Sequence, residues 1–176
     1  MGPHAIAWQC ASLLLGYPDD RLRGDLPVVR RATEGLPTEL AAPLLRTVQH
    51  LDDVPLERLQ ETYVETFDSR RRCNLFLTYF LHGDTRKRGT ALLRFKQTYL
   101  ASGVVLDESE LPDHLCVVLE YAATVDAEQG RQLLLDHRAG LELLRLALGD
   151  SESGWAGAVE AVCATPPRLR GDERDA

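Results

Sequence analysis

The sequence contains no long apolar run. A helix that crosses a bilayer needs about 20 consecutive, mostly apolar residues, and the apolar stretches in these 176 residues are far shorter. The N-terminus also lacks the charged segment, apolar segment and cleavage site that together make a secretory signal. We therefore expect a cytoplasmic protein that is neither exported nor stably inserted in a membrane.

Closely spaced cysteines are missing as well. The four cysteines are far apart, and no pair has the CxxC spacing of a zinc or redox site. They are Cys10, Cys73, Cys116 and Cys163. A chain of this length can bury about two thirds of its unfolded surface, so it needs no disulfide or metal to fold. We expect reduced, mostly buried thiols.

The common catalytic motifs are absent too. The sequence has no GxxxxGK(S/T), GxGxxG, HExxH or GxSxG motif, and its five histidines form no HxxxH pair. His82-Gly83-Asp84 and Asp113-His114 leave a metal-dependent helical hydrolase as an alternative, since such enzymes gather His and Asp ligands from several helices. Helix capping by the aspartates explains the same residues. We predict no catalytic residue, no metal site and no cofactor of the chain's own.

Positive charge is in deficit. The net charge is −7, which argues against general affinity for nucleic acid or anionic membranes. Six of the twenty Lys and Arg residues nevertheless lie in FDSRRRCNLFLTYFLHGDTRKRG, residues 67–89. The centre of this segment, Leu75–Leu81, is too apolar to stand exposed beside a base-stacking surface. We expect it in the core, with the flanking arginines neutralised by carboxylates such as Asp68, Asp84 and those of residues 107–113.

Helical periodicity runs through nearly the whole chain. Apolar residues recur at helical spacing, as in Leu56, Leu59 and Tyr63, and no stretch alternates long enough to predict a strand. The sequence predicts an all-α, single-domain bundle of seven or eight helices over residues 1–164, then a disordered polar tail at 165–176. The expected helices cover residues 5–15, 20–34, 38–51, 55–67, 84–102, 112–122, 129–148 and 154–163. In the seventh of these, we expect a hydrogen-bonded core histidine at residue 137.

Residues 97–130 contain no Lys or Arg. Seven acids fall in this stretch, which we call the acidic strip: Asp107, Glu108, Glu110, Asp113, Glu120, Asp126 and Glu128. Two interpretations stay open at this point. The strip is either a solvated helix face with its loop, or a receptor for a basic amphipathic helix whose apolar side enters a groove.

Three segments together resemble a known family. They are QCASLLLGYPDD, YVETFDSRRRCNLFLTYFLHGDTRKRGTALLRFKQTYLASG and ELPDHLCVVLEYAA. In order and spacing, from about Ala7 to about Ala123, they resemble the nitrate reductase branch of the TorD/DmsD/NarJ family of molybdoenzyme assembly chaperones.

This resemblance implies an all-helical chaperone that is not an enzyme. Such proteins bind the N-terminal peptide of a molybdoenzyme catalytic subunit. They hold the apoenzyme ready for insertion of its iron–sulfur cluster and molybdenum cofactor, before membrane docking. The implied client is the alpha subunit of respiratory nitrate reductase, whose N-terminal peptide tends to be basic and amphipathic.

Other partners and oligomeric states are also implied. Proteins of molybdenum cofactor biosynthesis are further candidate partners, and the chaperone is expected to be a monomer or a weak homodimer. A helical adaptor with an unrelated partner is the second alternative to the chaperone function.

The family motifs imply where the client peptide binds. An aromatic–acidic segment ends the fourth helix, and the signature Pro-Asp-His-Leu falls at residues 112–115. Both are expected to line or support the peptide groove. The implied set is Tyr63, Phe67, Asp68, Glu110, Pro112, Asp113, His114, Leu115 and Leu119. His114 is also the expected pH-sensitive residue, because an ordinary histidine has a pKa of about 6.5 and the carboxylates of Asp113 and Glu110 are expected to raise it.

A second family motif lies between the two arginine triplets. A capped, salt-bridged junction between a loop and a helix explains its residues without any ligand, so we expect a partly architectural role. They are Tyr79, His82, Asp84, Arg86 and Arg88.

Overall fold

Helices dominate the computed structural model, which describes residues 1–83 and 85–165. The ten α-helices in this part of the chain are α1 (Pro3–Leu14), α2 (Asp20–Glu34), α3 (Thr38–Asp53), α4 (Leu56–Tyr63), α5 (Tyr79–His82), α6 (Arg86–Ala101), α7 (Leu115–Thr124), α8 (Ala127–Asp136), α9 (Arg138–Asp150) and α10 (Ala156–Cys163). A π-helical turn, Val64–Asp68, follows α4 directly, and a 3₁₀ turn covers Arg71–Cys73. No β-strand occurs in these described residues. The all-α prediction is confirmed.

Several helix boundaries follow from capping residues. The side chain of Asp19 accepts a hydrogen bond from the backbone N–H of Leu22 at 2.8 Å, which caps α2. Asp126 caps α8 in the same way through the N–H of Gln129, at 3.0 Å. Gly103 follows α6 with a φ of 82°, a conformation that glycine adopts without strain. Such local signals explain why most helix limits could be predicted from the sequence.

The long helix predicted for residues 129–148 is instead two helices, α8 and α9. The break occurs at His137, whose Nδ1 lies 2.9 Å from the carbonyl oxygen of Leu133. A continuous helix would offer that carbonyl to the backbone N–H of His137. The N–H bonds to the carbonyl of Leu134 instead, at 3.3 Å. His137 is buried, so the prediction of a hydrogen-bonded core histidine is confirmed while the uninterrupted helix was wrong.

The buried apolar side chains form one core cluster. Within it α1 packs on α7, and α3 packs on both α2 and α10. Trp8 and Trp155 are the largest fully buried side chains. The indole Nε1 of Trp8 donates to the hydroxyl of Thr165 at 2.8 Å, which ties the end of the described chain to α1. Thr165, assigned above to the tail, is therefore packed, and residues 166–176 lie outside the described residues.

The apolar centre of the arginine-rich segment is only partly buried. Leu75 and Leu77 are in the core, as predicted. Phe76 and Phe80 are half-buried, and the side chain of Leu81 is 56% exposed. The predicted burial is thus right for the first half of the run and wrong for its end, because α5 turns its last residues outward.

The described residues contain neither a membrane-spanning helix nor a disulfide. No helix there is long and apolar enough to cross a membrane. The four cysteines all fall within this part of the chain and form no disulfide in it. Burial raises the pKa of the Cys10 thiol to about 11.

Candidate functional site

Asp113 lies at the centre of a buried polar cluster with Thr78 and Arg88, which we call the Asp113 cluster. The Asp113 side chain is 0% exposed. Its Oδ2 accepts hydrogen bonds from the backbone N–H of Thr78 at 3.1 Å and from the Thr78 hydroxyl at 2.6 Å. The Nη2 of Arg88 lies 3.8 Å from the same oxygen, and the Nε of Arg88 donates to the Thr78 hydroxyl at 3.1 Å. In this conformation the carboxylate joins two parts of the fold and does not reach the surface.

Two backbone hydrogen bonds extend this junction. The N–H of Leu77 donates to the carbonyl of Asp113 at 3.1 Å, and the N–H of Leu115 donates to the carbonyl of Leu75 at 2.8 Å. This short antiparallel pairing holds the residues before α7 in an extended conformation. The helix therefore begins at Leu115, and the start predicted at residue 112 was wrong.

His114 caps α7 from this junction. Its Nδ1 accepts a hydrogen bond from the N–H of Cys116 at 3.1 Å, so the neutral ring carries its proton on Nε2. Burial lowers the pKa of His114, while Asp113 and Asp68 act in the opposite direction without prevailing. The expected rise in pKa was wrong, because desolvation of the imidazolium outweighs the nearby carboxylates.

The neutralisation by a carboxylate that we expected for the flanking arginines is found at Arg88, at the start of α6. Within the described residues Arg71 and Arg72 make no ion pair, so the expectation was wrong for them. Cations in a first helical turn are disfavoured by the helix dipole, and Arg88 is compensated there by Asp113. Its guanidinium carbon also lies 5.7 Å from the centre of the Phe76 ring. Arg86, at the first position of the helix, is exposed.

The rest of the second motif lies in and after α5. Tyr79 and His82 are half-buried. The carbonyl of His82 accepts a hydrogen bond from the hydroxyl of Thr85 at 2.7 Å, which closes the turn before α6. Asp84 lies outside the described residues.

Tyr63 and Phe67 belong to an aromatic cluster in the core. Both are buried, their ring centres are 4.7 Å apart, and each packs edge-on against Trp155. The hydroxyl of Tyr63 donates to the carbonyl of Leu15 at 2.7 Å. These rings pack within the core, while Asp68 directly after them is exposed.

The remaining members of the implied peptide set differ in exposure. Leu115 and Leu119 are fully buried. Pro112 is buried, and its carbonyl accepts a hydrogen bond from the hydroxyl of Tyr99 at 2.6 Å. Glu110 is exposed. Of the nine residues, Asp68 and Glu110 have exposed side chains and His114 a half-buried one.

An apolar groove lies beside Glu110, between the loop that follows α6 and the outer side of α7. It has a volume of about 190 Å³. Its apolar lining residues include Val104, Leu106, Val117 and Val125. Two acidic residues, Glu110 and Glu120, also line it. A second depression of about 200 Å³ adjoins it and shares Tyr99, Val104 and Leu106. We call the two together the acidic groove.

Exposed apolar side chains surround the acidic groove. Val105 is 80% exposed, and Leu100 and Val125 are also exposed. Apart from Lys96 in the second depression, the groove is built from the stretch without Lys or Arg. The groove thus combines an apolar floor with negative charge, the combination suited to a basic amphipathic segment.

Most of this groove could not be predicted from residue patterns. The acids of the strip were recognised, but no role was predicted for GVVL, residues 103–106. The available signal was the valine pair of that segment, placed directly before the acids of DESE. Its position against α7 depends on the Tyr99–Pro112 hydrogen bond, which no local pattern reveals.

The arrangement of possible metal ligands is described for residues 1–83 and 85–165. No group of three or more His, Cys, Asp or Glu residues there is arranged to hold a metal ion.

Comparisons with known proteins give consistent results. The sequence model of the family described as nitrate reductase delta subunit matches residues 33–161. NarJ of Escherichia coli, a nitrate reductase molybdenum cofactor assembly chaperone, is 36% identical over 151 residues, covering 82% of this chain and 63% of NarJ. The probable assembly chaperone NarJ of Bacillus subtilis is 34% identical over 152 residues, covering 86% of this chain and 83% of that protein.

A longer relative and a solved structure also match. The nitrate reductase-like protein NarX of Mycobacterium tuberculosis is 43% identical over 160 residues, and the chain spans 24% of the length of NarX. A crystal structure of an Archaeoglobus fulgidus protein assigned to redox enzyme maturation superimposes with a TM-score of 0.67. It is 27% identical in sequence, with 93% of this chain and 94% of that chain covered. The resemblance seen in the sequence motifs is confirmed, and the chain belongs to the nitrate reductase delta subunit family.

Proposed function

We propose that this chain is an assembly chaperone for a respiratory nitrate reductase. In this proposal it acts in the cytoplasm, where it binds the N-terminal peptide of the alpha subunit. It keeps that subunit ready for insertion of the molybdenum cofactor and iron–sulfur cluster before membrane docking. Membership of the delta subunit family supports the chaperone role, because both NarJ relatives are described as molybdenum cofactor assembly chaperones.

The acidic groove is the proposed peptide site. Its apolar walls accept the apolar side of an amphipathic helix, and Glu110 and Glu120 face the cations on the flanks of that helix. The single observation that carries this assignment is the position of these two carboxylates in an apolar groove within a stretch of 34 residues that lacks Lys and Arg, residues 97–130.

The residues of the Pro-Asp-His-Leu signature act on this site from behind it. The carbonyl of Pro112 accepts a hydrogen bond from the hydroxyl of Tyr99, a residue of the groove floor. Asp113 anchors the end of the loop to Thr78, and His114 fixes the first turn of α7. In this proposal the signature holds the loop at the correct distance from α7. Glu110, which lies in that loop, contacts the peptide.

Calorimetric titration with a synthetic client peptide tests the proposal. The peptide covers about the first 20 residues of the alpha subunit, or about five helical turns. We expect saturable binding that weakens about three- to tenfold at low salt when both groove acids are neutralised, Glu110→Gln with Glu120→Gln. The difference between the two proteins is expected to shrink as salt is raised, because exposed charges are screened.

A matched control separates local charge from net charge. The pair Glu34→Gln and Glu57→Gln removes two exposed acids outside the groove and is expected to leave the affinity unchanged. Equal losses in the two double variants, or no loss in the groove variant, would remove the groove from the proposal.

Co-purification tests the client itself. A tagged chain expressed with the nitrate reductase subunits is expected to retain the alpha subunit, and to lose it when the N-terminal peptide of that subunit is deleted. Retention of an unrelated protein without any molybdoenzyme subunit would favour the adaptor alternative.

A further inference from the structure

Helix α9 is apolar on two sides. Leu141, Leu144 and Leu148 face the core and are buried. Leu143 and Leu146 lie on the outer side, and they are 55% and 50% exposed. A surface helix normally carries polar residues on its outer side, so the second apolar side is not explained by the fold.

The outer leucines open into a cavity of about 510 Å³ between α9 and residues 71–80. From α9 the cavity is lined by Leu143, Leu146, Ala147 and Asp150. These positions follow the spacing i, i+3, i+4 and i+7, which forms one straight stripe along a helix. The stripe runs from Leu143 to Asp150, a rise of about 10 Å along the helix. A helix laid along α9 could cover it with about two turns.

Unpaired positive charge borders the same cavity. The opposite wall is formed by the half-buried Tyr79 and Phe80 and by the exposed Arg71 and Arg72. Within the part of the chain that the structure describes, neither arginine makes an ion pair or a side-chain hydrogen bond.

The position of these cations is defined by the fold. The 3₁₀ turn that presents them ends at Cys73, which is buried. On α9 itself, Glu142 and Arg145 neutralise each other at 2.8 Å. The charge available to a partner on this side is therefore mainly positive, with Asp150 at the far end of the stripe.

We propose that this surface, formed by α9 and residues 71–80, docks an acidic amphipathic helix of a partner protein. The apolar stripe of that helix packs against Leu143, Leu146 and Phe80, and its carboxylates pair with Arg71 and Arg72. The surface shares no residue with the acidic groove. The chain thus carries two docking surfaces that select segments of opposite charge, and the second goes beyond the client-peptide site.

Fluorescence anisotropy with a designed peptide pair tests this surface on the full chain. The probe is a fluorescein-labelled, lactam-stapled helix of about 14 residues, four turns, with leucines at i, i+3, i+4 and i+7 and flanking glutamates. The control peptide has the same leucines with lysines in place of the glutamates. We expect the acidic peptide to bind at least tenfold more tightly than the basic one to a chain carrying Glu110→Gln and Glu120→Gln, in which the acidic groove is neutralised.

Two sets of variants locate the binding. Leu143→Ser with Leu146→Ser is expected to weaken the acidic peptide at least tenfold. Arg71→Gln with Arg72→Gln is expected to weaken it about three- to tenfold and to flatten its salt dependence. All four side chains are exposed, so thermal melts followed by circular dichroism should match the parent chain. The arginine pair tests the surface independently of any change in packing.

Three results would overturn the proposal. The first is equal binding of the basic and acidic peptides, and the second is an acidic-peptide affinity that neither variant alters. The third is a homodimer of the parent chain in sedimentation equilibrium that becomes monomeric in the variant Leu143→Ser with Leu146→Ser. The occupant of the surface would then be a second copy of this chain.

Discussion

Asp113 accepts two hydrogen bonds from Thr78, one from its backbone N–H at 3.1 Å and one from its hydroxyl at 2.6 Å. The two residues are 35 positions apart in the sequence, and both are fully buried. This contact joins the arginine-rich segment to the loop that carries Glu110. The two sequence motifs are therefore one structural unit, and changes in either are expected to affect the same groove.

Asp113→Asn is expected to destabilise the fold. The amide keeps one acceptor for Thr78 but removes the negative charge beside Arg88, and breaking a buried ion pair is costly. Because Arg88 is partly exposed, the cost is smaller than for a fully buried pair. We expect the free energy of unfolding to fall by about 2 to 3 kcal/mol, which lowers Tm by about 4 to 12 °C. Thermal unfolding measures it. Glu110→Gln, at an exposed position, is the control and should stay within about 0.5 kcal/mol; equal stability of the two variants would contradict the structural role of Asp113.

His114 is expected to make stability depend on pH. Burial lowers its pKa in the folded chain, whereas the unfolded chain binds the proton near the ordinary value of about 6.5. The unfolded state therefore binds more protons between these two values. The His114 contribution is complete above about pH 6.5 and is lost as the pH falls to the lowered pKa.

The variant His114→Asn isolates this effect. Asparagine offers a side-chain oxygen in place of Nδ1 to accept the N–H of Cys116, and it does not titrate. Urea unfolding at pH 7 and pH 5 should show a smaller loss of unfolding free energy in the variant than in the parent chain. His4 and His50, whose pKa values burial also lowers, remain in both proteins. An identical pH dependence would exclude His114 as its source.

Tyr99→Phe is expected to loosen the loop of the acidic groove. The substitution leaves the buried carbonyl of Pro112 without its donor, which costs about 1 to 3 kcal/mol. Limited proteolysis should cut within residues 103–111 faster in the variant, and the client peptide should bind more weakly. Tyr17→Phe, at a tyrosine that is 52% exposed, is the matched control. Unchanged proteolysis and unchanged peptide binding in Tyr99→Phe would show that this hydrogen bond does not hold the loop.

Gly157→Ala is expected to separate α10 from α3. An added Cβ at Gly157 would overlap the carbonyl oxygen of Pro43 and approach the Thr47 hydroxyl, which also accepts the N–H of Ala158 at 3.0 Å. Forcing atoms into a packed interface costs about 1 to 3 kcal/mol. Gly149→Ala, in α9 with open space around it, should be neutral or stabilising by up to about 1 kcal/mol. Chemical denaturation of both variants measures the difference, and similar values would contradict the close approach.

The sequence predicted the helices well because their signals are local. Apolar periodicity, the caps Asp19 and Asp126, and the glycine after α6 act within a few residues of each boundary. Prediction failed where a side chain competed with the backbone for a hydrogen-bond acceptor. His137 does so at the break between α8 and α9, where its ring lies against the carbonyl of Leu133. It also failed where a distant segment held the chain extended, as Leu75 does just before α7.

The sequence by itself determined the helical class, the family motifs and the separation of basic from acidic segments, because each of these depends on composition and near neighbours. Only the tertiary structure decided which motif residues reach the surface. Asp113 and Glu110 are both acids of one strip, yet one is buried against Thr78 and the other stands at a groove. That difference depends on contacts between residues far apart in the chain, where packing and desolvation decide the role of each side chain.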